Sequence, residues 1–178
     1  MPRYVAFLRG ININGKNKIN MPDLKTEFKS LGFSDVTTYL NSGNIIFKSE
    51  ADNVRLLIEK MIIEKYGLEI PAYVIDSDSL LDILQHAPTW WNTGDKDKYD
   101  NLIFILSSDS PEEICKSIGE PTEGLEQIKT YKNVIFWTFD RAKYQKSNWW
   151  KKTASASVAK KLTIRTANTV NKICKIDN

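Results

Sequence analysis

The hydrophobic positions along the chain change period repeatedly, and each change predicts an element. Residues 4–8 form a short apolar run with Val5, Phe7 and Leu8, the pattern of a buried strand. Leu24, Phe28 and Leu31 then recur at helical spacing behind Asn20, a capping residue type, with Pro22 and Asp23 in the first turn and Gly32 as the stop. Residues 36–40 and 45–48 read as strands around Asn41-Ser42-Gly43-Asn44, a turn or bulge. Asp52 opens a helix with Val54, Leu57, Ile58, Met61 and Ile62 on one stripe, ended by Gly67. A strand over 70–75 follows, then a helix capped by Ser77 or Asp78 that carries Leu80, Leu81 and Leu84.

Periodicity lapses over residues 87–100, around Pro88, Trp90, Trp91 and Gly94, and then restarts. Residues 101–106 read as a strand, and Ser110-Pro111-Glu112-Glu113 as a capped helix start with proline at the first helical position. Residues 128–131 and 134–139 form a hairpin around Lys132-Asn133. Ser147 begins a helix through about Leu162, with Trp150, Ala154, Val158 and Leu162 as its core stripe and Trp149 turned outward. A last helix covers 167–173. Each half therefore runs strand, helix, strand, strand, helix, with one more strand completing the first half. That order predicts an α+β protein of two ferredoxin-like βαββα-type halves, antiparallel sheets with helices packed on one face. The divisions are an N-terminal α+β subdomain over 1–87, a linker loop over 88–100, and a C-terminal α+β subdomain over 101–178 with a basic helical tail.

The loop after the first strand carries the densest chemistry. Arg9-Gly10-Ile11-Asn12-Ile13-Asn14-Gly15-Lys16-Asn17-Lys18 combines residues that tolerate positive φ with cations and amide donors. Gly10 and Gly15 let backbone N–H groups approach an anion, Asn12 and Asn14 offer amides, and Arg9, Lys16 and Lys18 supply charge. Neither the Walker nor the dinucleotide glycine motif is present, so a tight loop serving only its own geometry competes closely with an anion site. In Asn41-Ser42-Gly43-Asn44 a hairpin turn is the leading reading, with Ser42 and Asn44 as companions to the loop if the strands are neighbours.

Three segments closely resemble the bacterial domain-of-unknown-function family 1697. They are residues 4–12 running on to Gly15-Lys16-Asn17-Lys18-Ile19, then Thr38-Tyr39-Leu40-Asn41-Ser42-Gly43-Asn44-Ile45-Ile46-Phe47, and Pro88 to Trp91 with the strand after it. The resemblance implies a two-part α+β fold and supplies no activity. The tail departs from the family pattern Thr-x-Arg-Asn-Trp-Asn-Thr, having Thr163-Ile164-Arg165-Thr166-Ala167-Asn168-Thr169, and Asn14 replaces the second loop glycine.

Charge sharpens the picture because its average conceals an asymmetry. The 178 residues carry a net +3, but residues 141–178 hold 10 basic and 1 acidic side chains, and the first 20 residues hold Arg3, Arg9, Lys16 and Lys18 with no acid. A one-signed field concentrates anions, although a solvated basic helix face accounts for the tail equally well. Arg165, ahead of the last helix, is placed to clamp an anion at that helix's N-terminus. The longest apolar runs are about five residues against the roughly 18 of a membrane span, and no signal-peptide pattern opens the chain, so a cytoplasmic protein with no membrane partner is expected. Cys115, Cys174 and the single His86 make neither a disulfide framework nor a zinc site; Asp95, Asp97 and Asp100 miss the calcium-loop pattern, and no metal or cofactor is expected.

These readings converge on binding of an anionic, phosphate-bearing ligand or single-stranded nucleic acid through Arg9, Gly10, Asn12, Gly15, Lys16, Ser42 and Asn44, with Arg165 contributing. An enzyme acting on a small phosphorylated or carboxylated metabolite is the alternative, and a protein-interaction or self-association module the third; monomer and dimer stay open. Ser42 lacks a nucleophile motif, and the aromatic ribonucleoprotein signature of RNA-recognition domains is missing.

Overall fold

The computed structural model describes residues 1–176, which form two compact units: Met1–Leu81 together with the segment from Lys175, and Asp82–Cys174. The first contains β1 (Arg3–Leu8), α1 (Met21–Ser30), β2 (Ser34–Tyr39), β3 (Asn44–Lys48), α2 (Val54–Tyr66) and β4 (Ala72–Asp76). Its antiparallel sheet has the order β2-β3-β1-β4, the ferredoxin-like arrangement in which β1 lies between β3 of the hairpin and β4. Ala6, Leu8, Ile45 and Phe47 on one sheet face pack with Leu24 and Phe28 of α1 and Ile58 and Ile62 of α2. Phe33 stacks on Phe47 at 4.7 Å, and Phe28 meets Phe47 edge-on at 5.4 Å, the offset and T-shaped geometries that ring quadrupoles favour.

α3 (Ser77–Gln85) follows β4 directly. Its cap is Asp76 rather than the expected Ser77 or Asp78: the Asp76 carboxylate accepts from the Ser79 N–H at 2.8 Å and the Ser79 hydroxyl at 2.7 Å. Those bonds, led by the hydroxyl, hold the Asp76 carboxyl below the usual carboxylate range.

The second unit contains β5 (Lys98–Ile105), α4 (Pro111–Ile118), β6 (Glu126–Tyr131), β7 (Val134–Asp140), one 3₁₀ turn (Tyr144–Lys146), α5 (Asn148–Thr153), α6 (Ala156–Ala159), β8 (Leu162–Thr166) and α7 (Ala167–Cys174). The sheet order is β6-β7-β5-β8, so this unit repeats the topology of the first. α4 has the expected Ser110 cap, and it is a full capping box: Ser110 Oγ accepts from the Glu113 N–H at 3.1 Å, and Glu113 Oε1 accepts from the Ser110 N–H at 3.1 Å.

The structure corrects three local expectations. Residues 162–166 form a fourth strand, where the sequence pattern runs a helix into a loop; the β-branched Thr163, Ile164 and Thr166 suit a pleated surface, and the strand pairs along β5 from Asn101↔Thr166 to Ile105↔Leu162. The helix starting near Ser147 breaks after Thr153. Thr153 Oγ1 donates back to the Trp149 carbonyl at 2.7 Å and Ser155 Oγ to the Lys152 carbonyl at 2.7 Å, so hydroxyls compete for the carbonyls that would continue the helix. The break changes the buried face: Trp149 is fully buried and Trp150 is 40% exposed, the reverse of the single-helix projection. Strand β5 also begins at Lys98, three residues inside the expected linker loop.

Packing in the second unit centres on Ile103, Ile105, Ile135 and Trp137 of the sheet against Ile114, Ile118 and Trp149. A buried carboxylate organises its edge. Glu126 Oε1 accepts from Trp137 Nε1 at 3.1 Å and from the Ser147 hydroxyl, while Oε2 accepts from the N–H groups of Thr122 at 2.8 Å and Trp149 at 3.2 Å. Ser147 Oγ in turn accepts from the Trp150 N–H and caps α5. No helix is long and apolar enough to cross a membrane among the described residues.

Candidate functional site

The loop after β1 is held in one shape by its own asparagines. Asn12, at φ 54°, donates from Nδ2 to the Ile19 carbonyl (3.0 Å) and the Asn41 carbonyl (2.8 Å), and its Oδ1 accepts from the Ile19 N–H (2.8 Å). Asn17 Nδ2 donates to the Gly10 carbonyl at 2.9 Å, and the Asn12 N–H to the Asn17 carbonyl at 3.1 Å. These bonds close the loop on itself and tie it to the β2–β3 turn. The Asn12 amide therefore braces the loop; the groups left facing solvent are the Lys16 and Lys18 ammoniums and the tip around Asn14 and Gly15. Lys16 and Lys18 make no ion pair among the described residues. Arg9 is half-buried, and its N–H donates to the Pro71 carbonyl at 3.0 Å.

In the β2–β3 turn, Asn44 is fully buried, and its Nδ2 donates to the Tyr39 carbonyl (2.8 Å) and to Ser42 Oγ (2.9 Å). Gly43, at φ 89°, approaches the core so closely that a Cβ there would lie 2.8 Å from Leu8 Cβ and 3.0 Å from Ile11 Cδ1. Its carbonyl accepts the Leu8 N–H at 2.8 Å. The loop and the turn thus come together as the strand neighbourhood of β1 and β3 requires. Beside them lies an open hollow of about 440 Å³ lined by Asn12, Gly15, Lys18, Asn20, Asn41 and the first residues of α1. Asn20 caps α1, with Oδ1 accepting from the Asp23 N–H at 3.0 Å.

Arg165 sits in the second unit. It is a β8 residue opposite Leu102, 8% exposed, and its Nη1 donates to Thr163 Oγ1 at 2.9 Å and the Ile164 carbonyl at 3.0 Å. Burial pushes its guanidinium down to about 10, which leaves it protonated at neutral pH. The single histidine, His86, also lies in the second unit. It stacks on Tyr131 at 4.6 Å, and its Nδ1 is 2.8 Å from the Asp82 carbonyl oxygen and 3.4 Å from Asp82 Oδ1. Asp82 Oδ2 accepts from Lys132 Nζ at 2.6 Å and the Tyr131 hydroxyl at 2.9 Å, and the lysine bond chiefly holds its carboxyl below the usual range. The i, i+4 spacing of Asp82 and His86 was a readable signal of this partnership; the strand residues completing it were not.

Sequence reasoning also missed a cleft in the second unit. Register places Tyr99 opposite Phe139 and Asn101 opposite Trp137, so four side chains on two strands share one face. With Tyr144, Trp150, Thr153 and Ile164 they line a compartment of about 520 Å³. Tyr99 and Arg141 also line an adjoining polar compartment of about 320 Å³ with Lys96, Lys98, Asp100 and the start of α7. The only signal in the sequence was the alternate spacing of Trp137 and Phe139, which reads equally as core.

Two tandem βαββαβ units of ferredoxin-like topology, the first with a braced basic loop behind its leading strand, define the class of the molecule. The chain belongs to the family described as protein of unknown function (DUF1697), whose profile matches residues 1–136. Its fold is similar to that of the conserved bacterial protein SP0830 from Streptococcus pneumoniae, with a TM-score of 0.84 and 28% identity over 98% of this chain and 97% of that one. No curated protein matches.

Proposed function

We propose that the protein binds phosphate-bearing ligands, single-stranded nucleic acid among them, at the basic loop between β1 and α1. The observation that carries this reading is the loop's pinned conformation, with Lys16 and Lys18 in no ion pair among the described residues and Lys18 lining the hollow at the α1 N-terminus. Asn12, Asn17 and Asn44 hold the frame, so the loop backbone and its tip amides meet an anion without first being ordered, which lowers the entropic cost of binding. The acid-free first 20 residues leave that charge uncompensated in the local sequence.

The test is fluorescence anisotropy of a labelled mixed-sequence single-stranded oligonucleotide at roughly 50 and 200 mM salt, with wild type and the Lys16→Ala/Lys18→Ala double variant. Binding that weakens steeply with salt is expected, and the double variant should lower the slope of log K against log salt by roughly 0.7 for each phosphate it no longer neutralises. Absence of binding at the lower salt removes nucleic acid from the reading. A double variant with the wild-type slope places the phosphate-binding groups elsewhere and overturns the assignment to this loop.

A further inference from the structure

The cleft in the second unit has a division of chemistry that neither the fold nor the basic loop calls for. One compartment is walled by π faces. Tyr99 and Phe139 stack at 5.2 Å, Trp137 lies 4.9 Å from Phe139, and Tyr144 meets Trp150 edge-on at 4.8 Å. Tyr144 and Trp150 are 36% and 40% exposed, large aromatic surfaces at the mouth that the core does not use. Asn101, 4% exposed, lines the same compartment; its Nδ2 donates to the Tyr99 carbonyl at 3.2 Å, and its Oδ1 accepts no hydrogen bond among the described residues. An acceptor open to an aromatic-walled compartment suits a flat ring with N–H on its edge.

The adjoining compartment is cationic. The Arg141 guanidinium lies 4.7 Å above the Tyr99 ring centroid, and Arg141, Lys96 and Lys98 form no ion pair among the described residues. Ala167 and Asn168 bring the first turn of α7 to the same wall. Two acids share this compartment, Asp95 and Asp100. Both Asp100 oxygens are engaged, by the Thr138 hydroxyl at 2.6 Å and the Asn92 N–H at 2.9 Å, and Asp95 Oδ1 accepts the Asp97 N–H. Because Tyr99 and Arg141 wall both compartments, a ligand can place a ring in one and an anion in the other. Both volumes fall in the roughly 300–1,000 Å³ range of small-molecule sites.

We propose that this cleft is a binding site for a nucleoside monophosphate, its base among Tyr99, Trp137, Phe139 and Trp150 and its phosphate at Arg141, Lys96 and Lys98. The site is built from second-unit residues alone, and its ligand is a free nucleotide. Stacking supplies base-tolerant attraction, Arg141 supplies a planar fork for phosphate oxygens, and the α7 N-terminus adds a favourable dipole.

All five tryptophans, at 90, 91, 137, 149 and 150, belong to the second unit, and two of them, Trp137 and Trp150, line this cleft, so intrinsic fluorescence can follow its occupancy. The experiment titrates the full chain with AMP, GMP, CMP and UMP, with adenosine and inorganic phosphate as separate arms. Saturable quenching by at least one nucleotide is expected, with adenosine about tenfold weaker and phosphate alone giving no quench. Arg141→Ala should narrow the gap between nucleotide and adenosine, with Lys96 and Lys98 keeping part of it, and should weaken adenosine less than it weakens the nucleotide. Trp150→Ala should weaken both, and Trp150→Phe should recover most of the loss. Both side chains are solvent-accessible, so the variants should melt like wild type, and Lys16→Ala/Lys18→Ala should bind nucleotides normally. No saturable quench by any nucleotide at about 10 mM, far above the roughly micromolar to millimolar range of specific small-ligand sites, overturns the proposal. So does equal binding of nucleoside and nucleotide, or quenching by a single-stranded oligonucleotide alone.

Discussion

Glu126 offers the sharpest test of how the second unit is held together. Its carboxylate is 5% exposed, no cation pairs with it among the described residues, and four donors converge on its two oxygens. Replacing it with alanine leaves Trp137 Nε1, the Ser147 hydroxyl and the Trp149 N–H without an acceptor inside the unit, while the Thr122 N–H can turn to water. Three stranded donors at about 1–3 kcal/mol each, offset by water entering the space, give an expected loss of about 3–5 kcal/mol. Glu126→Gln keeps the volume and one acceptor oxygen but turns an NH₂ toward two N–H donors, so it should lose about 2–3 kcal/mol. Urea denaturation followed by tryptophan fluorescence reads this unit alone. With m of about 1–3 kcal/mol/M, the Glu126→Ala midpoint should fall by at least about 1 M. A loss below about 1 kcal/mol for Glu126→Ala, or a Glu126→Gln variant as stable as wild type, would refute the convergence of donors as a source of stability.

Three other expectations follow from the same geometry. Gly43→Ala, at φ 89° with its new Cβ 2.8 Å from Leu8 Cβ, should destabilise by about 2–4 kcal/mol, whereas Gly15→Ala, at φ 71° with its new Cβ meeting only the Lys18 side chain at 3.9 Å, should cost only about 1 kcal/mol; circular dichroism melts compare the two, and equal losses contradict the close approach. Asp82, whose folded carboxyl is held low by Lys132 and then Tyr131, contributes stability that is present above the unfolded carboxylate range and is lost as pH falls through the folded value. Asp82→Asn should therefore be less stable than wild type at neutral pH, with the difference shrinking as pH falls below the ordinary carboxylate range, as read by urea midpoints at each pH. Burial first, with Glu112 and Glu120 nearby, raises the Cys115 thiol, so iodoacetamide should alkylate it more slowly in the native protein than in urea at the same neutral pH; equal rates contradict its shielding.

Local signals carried much of the architecture. Asn20 before Pro22 and Ser110 before Pro111 announce their helices because a cap bond needs only residues three apart. The Lys132-Asn133 hairpin was legible for the same reason, its reversal being made by the turn residues themselves. β8 was misread because Val158 and Leu162 sit at helical spacing from Trp150, and only the pairing with β5 makes residues 162–166 extended. The repeated element order did contain the correction, since the first unit closes with a strand after its second helix, and the same place in the second unit falls at residues 162–166.

The candidate sites divide in the same way. The composition of the loop, with its glycines, asparagines and cations, is a property of ten consecutive residues, and the sequence by itself determined that a basic, positive-φ loop follows the first strand. Which of its polar groups brace and which face solvent was decided only by folding, because the Asn12 amide is spent on a carbonyl 29 residues away at Asn41. The buried placement of Arg165, the inversion of Trp149 and Trp150, and the meeting of Tyr99, Arg141 and Trp137 in one cleft are likewise tertiary. They depend on strand register and on a helix break, and a side chain's neighbours across a sheet are set by pairings that no local spacing encodes.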